Sequence, residues 1–362
     1  MINIEYENYT NFYNYIKDKK VLVICDENTK KYYQSIASKL ENYAQKVFII
    51  KFKNKHLLPD NEAINKINNN IKDFDYLLAI GSGTLNDLAK YVATINHIDS
   101  GILATAPSMD GYASKGSALM LNNKKVTETV NMPHDILIDS NILSSAPKVL
   151  ISSGFGDIIG KYTCLTDWKL SNIVNNEKIN KEAYELMENS LNKVVNNVDL
   201  IAKFDKNGIL FLMKALVDAG VAMAICGNSR PASGSEHHQS HFLEMYFVEN
   251  KLTVFPHGIT VALGSLISIE LYKHLLITKK EFAKKDKIIE LANQLPDVDT
   301  IRNLLIMMDC KVKFSTLHIS KETFKEMVYN AYKVRDRYTI LTFYHDNNLF
   351  DEIIDELITK YY

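Results

Sequence analysis

The chain is short of cysteine, proline and tryptophan. Its 362 residues include 4 Cys, 7 Pro and 1 Trp. The cysteines, Cys25, Cys164, Cys226 and Cys310, are widely spaced and form no CxxC pair. This spacing argues against a disulfide framework and is typical of reduced thiols in or near the core of a cytoplasmic protein. The low proline content, beside many Asn, Lys and Ile residues, indicates codon bias more than function.

The chain also has no excess of positively or negatively charged residues. Lys and Arg together number 42 and Asp and Glu 43, which gives a net charge of -1, and no Lys/Arg-rich arm is present. Nucleic-acid-binding proteins need a basic patch to neutralise phosphates. We therefore expect no nucleic-acid partner.

No uninterrupted hydrophobic run is long enough to span a membrane. The longest apolar stretch, from Leu210 to Cys226, contains Lys214 and Asp218, so we predict a buried helix and no membrane insertion. The first six residues are polar and mixed and show no signal sequence. These features again predict a cytoplasmic protein.

Apolar strand-like segments alternate with helical segments in the first part of the chain. Strands are predicted at 20–25, 46–50, 76–80 and 101–105, and helices at 10–17, 31–44 and 61–72. Continuous apolar strands of this kind indicate a parallel sheet covered on both faces. The segments 118–121, 126–130 and 135–139 predict a hairpin or an extension of the sheet.

After Pro147 the pattern changes to one helix after another. The length of the chain favours two domains. We predict an α/β domain over residues 1–147 and an all-α domain over residues 148–362.

Two loops rich in Gly, Ser and Thr follow neighbouring predicted strands. The first, Gly81–Lys90, also opens a helix, and the second is Ala106–Ser114. Ligands bind at the carboxyl ends of parallel strands, and a helix N-terminus offers N–H groups to phosphate. The first loop alone slightly favours a tight turn without a ligand. Together they favour a nucleotide pocket, so the first domain is predicted to bind a dinucleotide.

Two glycines flank Phe155 and precede Asp157 in the second domain. We predict a helix start here, with Asp157 in the first turn. The carboxylate is then either an acid favoured by the helix dipole or a ligand of a metal.

The segment Gly227–His241 places three of the ten histidines within five positions. It predicts an irregular loop followed by a helix from Glu236, with Ser233 or Ser235 as N-cap. On that helix His237 and His241 share a face and His238 points aside. On this stretch alone a metal site and a purely structural role are equally supported.

A further histidine, His257, follows at another predicted helix start. Asp157, His237 and His257 together would leave coordination positions open, as a catalytic metal site requires.

The ordered motifs resemble those of the sn-glycerol-1-phosphate dehydrogenase family, within the iron-containing alcohol dehydrogenase and dehydroquinate synthase-like superfamily. The resemblance extends from about residue 20 to 345. The motifs that carry it are Gly83–Asp87, Thr105–Gly111, Gly154–Asp157, Asp167-Trp168, Ser229–His237, His257-Gly258 and Arg335–Leu341.

The resemblance implies a role for each matching residue. Asp157, His237 and His257 match three metal ligands. Asp110 matches a carboxylate that contacts the substrate, and His241 a histidine that faces it, so both are catalytic candidates. The residues that match the NAD- or NADP-binding stretches are Gly83, Thr84, Leu85, Asn86, Asp87, Thr105, Ala106, Pro107, Ser108 and Ser114.

The resemblance also implies an activity. It is the reversible reduction of dihydroxyacetone phosphate to sn-glycerol 1-phosphate, a step of phospholipid biosynthesis, by a cytoplasmic homodimer with a divalent metal. Zinc is favoured, with nickel or iron as alternatives. Because of Lys51 and Lys53, NADP is a possible cofactor as well as NAD. Arg230 and the helix start at Ser233–Ser235 are candidates for binding the substrate phosphate.

Three other functions remain open on the sequence. One is a glycerol or other polyol dehydrogenase of the same superfamily. Another is a dehydroquinate synthase-like cyclase, and the last is a non-catalytic nucleotide-binding protein on this scaffold.

Overall fold

The computed structural model describes residues 2–54, 57–122 and 124–362. The chain forms two compact units. Unit 1 is Met1–Pro147 with Phe204–Gly220, and unit 2 is Lys148–Lys203 with Val221–Tyr362. The division into domains after residue 147 stays a prediction.

Unit 1 is built on a parallel sheet. Within the described residues its strands are β1 (Asn3–Tyr6), β2 (Lys20–Asp26), β3 (Lys46–Phe52), β4 (Tyr76–Gly81), β5 (Asp99–Ala104), β6 (Gly116–Leu121), β7 (Lys124–Thr129) and β8 (Asp135–Ile138). Six of them form the sheet in the order β1-β8-β5-β4-β2-β3, with every pair parallel. The other two, β6 and β7, form an antiparallel hairpin.

Helices flank the strands in unit 1, and within the described residues they are the only regular secondary structure of unit 2. They are α1 (Thr10–Tyr15), α2 (Tyr33–Tyr43), α3 (Asn61–Ile71), α4 (Gly83–Ile95), α5 (Ser140–Ser144), α6 (Lys148–Ile159), α7 (Lys161–Asn175), α8 (Lys181–Val195), α9 (Val198–Ala202), α10 (Lys206–Cys226), α11 (Ser235–Glu249), α12 (His257–His274), α13 (Lys285–Gln294), α14 (Val298–Met307), α15 (Lys321–Asn330), α16 (Ile340–Asp346) and α17 (Phe350–Tyr361). Short 3-10 helices lie at Lys30–Tyr32, Phe314–Leu317 and Ala331–Val334. The predicted α/β part followed by a helical part is confirmed.

The central strands are buried on both faces, as their continuous apolar sequences predict. All six residues of β4 and five consecutive residues of β2 are buried. One strand, β1, was not predicted, because its mixed sequence has no apolar pattern. It pairs with β8 at the edge of the sheet, where Asn3 Nδ2 donates to Asp135 Oδ1 at 2.6 Å.

The predicted helix start at Gly154–Asp157 is wrong. Helix α6 already begins at Lys148, so Asp157 lies in its last turn. Gly156 is explained by helix packing and not by a helix start. A Cβ on Gly156 would overlap the carbonyl oxygen of Gly258, and a Cβ on Gly258 would overlap that of Ser153. The absence of side chains therefore lets α6 and α12 meet backbone to backbone.

Among the described residues one helix, α10, is long and apolar enough to cross a membrane. Half of its most apolar window is buried inside the structure, and its buried residues include Ile209, Leu212 and Leu216. A core helix passes the same length and composition test, so this helix is weak evidence for a membrane span.

The Gly258→Ala substitution tests the close contact of α6 and α12. The added methyl group meets a backbone oxygen that cannot rotate away, so we expect the free energy of unfolding to fall by about 3 kcal/mol. Gly116→Ala is the control, because its new methyl group would meet side-chain atoms and no backbone atom, with Thr127 Cγ2 at 3.3 Å and Ser114 Oγ at 3.9 Å. Urea denaturation of both variants measures the difference. Equal stability of Gly258→Ala and the parent chain would disprove the role of this contact.

Candidate active site

In unit 1, a buried lysine connects the two predicted ligand-binding loops. Lys90 of α4 donates to the carbonyl oxygens of Gly111 at 2.9 Å and Gly116 at 2.6 Å, and pairs with Asp87 at 3.2 Å. Burial lowers the pKa of Lys90, and Asp87 acts against this shift. The ammonium group thus fixes the loop after β5 against α4.

The predicted dinucleotide-binding residues lie on this pair of loops. Gly83 and Thr84 open α4 and are partly exposed, whereas Leu85 and Asn86 are buried. Asn86 Nδ2 donates to the Gly111 carbonyl at 3.4 Å, which is a contact inside the protein. The residues that follow β5 and are almost wholly buried are Thr105, Ala106, Pro107, Ser108, Asp110 and Ser114. Asp110 therefore belongs to the same loop as the predicted dinucleotide site.

In unit 2, three helices bring one carboxylate and two imidazoles together. Asp157 comes from the end of α6, His237 from the first turn of α11 and His257 from the first residue of α12. One ligand atom from each lies within 4.8 Å of the others, and His237 Nε2 is 3.6 Å from Asp157 Oδ1. A divalent metal that accepts nitrogen and oxygen ligands fits this set of donors.

Buried carboxylates orient both imidazoles. Glu236 Oε1 lies 2.7 Å from His237 Nδ1, and Glu244 Oε1 lies 2.7 Å from His257 Nδ1. A carboxylate partner holds the proton on Nδ1 and leaves the Nε2 lone pair for a metal. Burial lowers the pKa of His237, and the positive charge of Lys161 lowers it further. The ring is therefore neutral, as a ligand must be.

The aspartate of the cluster has a buried cationic partner. Lys161, which is fully buried, donates to Asp157 Oδ1 at 2.9 Å and to the Ala232 carbonyl at 2.7 Å. It therefore fixes the carboxylate relative to the loop before α11.

The other two histidines on α11 have different surroundings. The His241 ring lies 5.5 Å from the His257 ring and 6.1 Å from the His237 ring, on the same side of the helix. His238 is buried, and neither of its ring nitrogens has a hydrogen-bond partner among the described residues. The spacing argument for a shared face thus agrees with the structure.

The predicted N-cap of α11 is wrong. Gly234 occupies the N-cap position, and no side chain of the loop caps the helix. Instead Asp167 Oδ2, on α7, accepts from the Ser235 N–H at 2.7 Å. The other oxygen of Asp167 accepts from Tyr272 Oη at 2.7 Å and from the Ile340 N–H at 2.8 Å. One remote carboxylate therefore fixes the starts of α11 and α16.

Sequence reasoning missed Glu236, Glu244 and the role of Arg335. Arg335 Nη2 lies 3.0 Å from His241 Nε2, and Glu244 Oε2 lies 3.1 Å from His241 Nδ1. The spacing of Glu244, three residues after His241, puts the two on one helix face and was the available signal. Nothing local marks Arg335 as a neighbour of a histidine 94 positions earlier.

Comparison with known proteins places the chain in a family. The family model for iron-containing alcohol dehydrogenases matches residues 6–147. A glycerol-1-phosphate dehydrogenase [NAD(P)+] from Bacillus licheniformis is 32% identical over 326 residues, which cover 89% of this chain and 81% of the relative. The chain belongs to the glycerol-1-phosphate dehydrogenase family.

Solved structures share the fold at lower identity. An iron-containing alcohol dehydrogenase from Thermococcus thioreducens aligns with a TM-score of 0.72 and 17% identity, over 100% of this chain and 98% of that one. A glycerol dehydrogenase from Schizosaccharomyces pombe aligns with a TM-score of 0.71 and 15% identity, over 99% and 90%. Similarity at this level establishes the fold alone.

The metal cluster predicts a graded loss of metal affinity. His237→Ala and His257→Ala each remove a ligand and should abolish stoichiometric metal binding. Glu244→Gln keeps the ligands but weakens the orientation of His257, so we expect a 10- to 100-fold lower affinity, roughly. Elemental analysis and zinc titration of the purified variants measure both effects.

Glu249→Gln is the matched control for Glu244→Gln, because Glu249 is exposed at the far end of the same helix. It should bind zinc as the parent chain does. Stoichiometric metal at unchanged affinity in both histidine variants would exclude this cluster as the metal site.

Proposed function

We propose that this chain is a metal-dependent, NAD(P)-linked dehydrogenase that interconverts dihydroxyacetone phosphate and sn-glycerol 1-phosphate. The observation that carries the proposal is the cluster of buried Asp157 and His237 with the partly buried His257 in a chain 32% identical to a glycerol-1-phosphate dehydrogenase. Bound NAD(P)H would supply the hydride for C2, and a divalent metal would supply Lewis-acid polarisation of the carbonyl.

The residues of the chain have complementary tasks. Asp157, His237 and His257 would hold the metal, with zinc favoured over nickel or iron on the donor set. Asp110 is proposed to contact the substrate. His241 is proposed to orient it or to join a proton relay, because its Nδ1 is tied to Glu244 and its ring lies 5.5 Å from that of His257.

The dinucleotide is proposed to bind at the loops after β4 and β5. The partly exposed opening turn of α4, with Gly83 and Thr84, supports this location, since the first N–H groups of a helix attract phosphate. Both NAD and NADP are proposed as cofactors. Strand β3 ends at Phe52, between Lys51 and Lys53, and offers no acidic residue that could accept a hydrogen bond from a ribose hydroxyl.

A substrate panel tests the proposal. Zinc-loaded protein is mixed with NADH or NADPH and with dihydroxyacetone phosphate, dihydroxyacetone or no substrate, and the enantiomer of the product is typed. We expect oxidation of the nicotinamide with the phosphate ester and sn-glycerol 1-phosphate as the product. Activity on dihydroxyacetone alone would assign the chain to polyol dehydrogenase chemistry. Inactivity on both, with metal bound, would contradict dehydrogenase function.

We further propose that the chain acts in the cytoplasm as a homodimer, on the family resemblance and on four cysteines that form no disulfide in the structure. The chain mass of 41.3 kDa gives a direct check. Sedimentation equilibrium should show twice this mass at micromolar concentration. A species of single-chain mass over the whole concentration range would contradict the dimer.

A further inference from the structure

Two arginines of the segment after the 3-10 helix Ala331–Val334 converge on one serine. Ser229 Oγ accepts from Arg337 Nη2 at 2.8 Å and lies 3.5 Å from Arg335 Nη1. Arg337 Nη1 donates to the Ser233 carbonyl at 2.5 Å. The two guanidinium groups are therefore held side by side against the loop before α11.

The positive charge of Arg337 is not matched by a nearby carboxylate. Its hydrogen bonds go to neutral oxygens, and no carboxylate of the described chain lies within 4.0 Å of it. Burial lowers the pKa of Arg337 to about 10, and the like charges of Arg230 and Arg335 add to this shift. Clustered cations of this kind cost free energy until an anion joins them.

A third arginine beside them is incompletely bonded. Arg230 is 2% exposed, and its Nη2 donates to Glu177 Oε2 at 2.7 Å and to the Tyr338 carbonyl at 2.8 Å. Its Nε and Nη1 atoms are buried and have no partner among the described residues, as is true of the hydroxyls of Ser233 and Thr339. Buried polar groups normally have a hydrogen-bond partner, so this region has donors to spare for a ligand.

The alternative phosphate site, the start of α11, is closed. The Gly234 N–H donates to Glu236 Oε1 at 2.7 Å and the Ser235 N–H to Asp167 Oδ2 at 2.7 Å. Two carboxylates already occupy these donors, and they would repel a phosphate. The start of α11 is therefore not proposed to bind the substrate phosphate. The arginines are the remaining candidates for this role.

We propose that Arg335 and Arg337, with Arg230 behind them, bind the phosphate monoester of the substrate. A planar guanidinium group can donate two parallel hydrogen bonds to phosphate oxygens, whereas a lysine ammonium group cannot. Arg335 also contacts His241 at 3.0 Å, and the His241 ring lies 5.5 Å from that of His257. A phosphate held here would lie one side chain away from the metal cluster. The inference rests on the proposed function for the identity of the ester, but the anion site itself does not.

Kinetics of Arg337→Met form the first arm of the test. Loss of one charge-assisted contact should lower kcat/KM for dihydroxyacetone phosphate by roughly 10- to 100-fold, while kcat/KM for dihydroxyacetone stays unchanged. Lys333→Met is the matched control, because it removes an exposed cation from the 3-10 helix that precedes the two arginines. Equal losses on both substrates would overturn the proposal. So would a loss confined to NADPH, since the site would then serve the cofactor.

Ligand-induced thermal stabilisation forms the second arm, and it needs no activity. Inorganic phosphate and glycerol 1-phosphate should raise the melting temperature of the parent chain and of Lys333→Met, and glycerol should not. Arg337→Met should lose this response, and Arg337→Lys should regain part of it. A full response in Arg337→Met would overturn the site.

The two arms separate the two proposals. If the parent chain reduces neither ketone but phosphate stabilises it through Arg337, the anion site stands and the dehydrogenase assignment fails. If the parent chain reduces dihydroxyacetone phosphate and Arg337→Met does so equally well, the assignment stands and the anion site fails.

Discussion

The direct contact of α6 with α12 is the constraint on which the candidate metal cluster depends. Asp157 lies in the last turn of α6 and His257 at the start of α12. Their side chains reach a common point because Gly156 and Gly258 allow the two backbones to touch. Rigid helices that meet without intervening side chains hold ligand atoms more accurately than loops do. The geometry of the candidate site therefore depends on the absence of a Cβ at Gly156 and at Gly258.

Hydrogen bonds to buried carboxylates also hold the helices of unit 2 together. Asp167, Glu236 and Glu244 are each at most 2% exposed, and each accepts hydrogen bonds from more than one group. Asp167 joins α7, α11, α12 and α16 through Ser235, Tyr272 and Ile340. In a medium of low dielectric constant such a network is costly unless it is satisfied, and when satisfied it fixes one arrangement. Glu236, whose pKa burial raises to about 7, belongs to the same network.

The fold was predictable from the sequence to the extent that its signals are local. Apolar runs such as those of β2 and β4 identify buried strands, and helical spacing puts His237 and His241 on one face. The edge strand β1 was missed because half-exposed residues carry no such pattern. The start of α6 lies earlier than the glycines indicate, because Gly156 serves the packing against α12, a helix that is remote in the sequence, and does not mark a helix start.

The candidate site shows the same limit. The positions of Asp157, His237 and His257 followed from motif order. The remote contacts around them did not, because Asp167, which fixes the start of α11, and Arg335, which contacts His241, are far from these residues in the sequence. When a residue of another helix caps a helix start, the sequence next to that start contains no signal of the cap. Ser233 and Ser235 satisfied the local preference for an N-cap, yet Gly234 occupies that position.

Helix α10 has a consequence for how the molecule can be divided. The chain leaves unit 1 after Pro147 and returns to it for Phe204–Gly220, where a Cβ on Gly220 would overlap Ala113 in the loop after β5. Unit 1 is thus discontinuous in the gene. A single recombination event at its first boundary would transfer the sheet without the helix segment that packs beside the loop. A cut at that boundary alone would therefore not separate the two units, because unit 1 would lose one of its own segments.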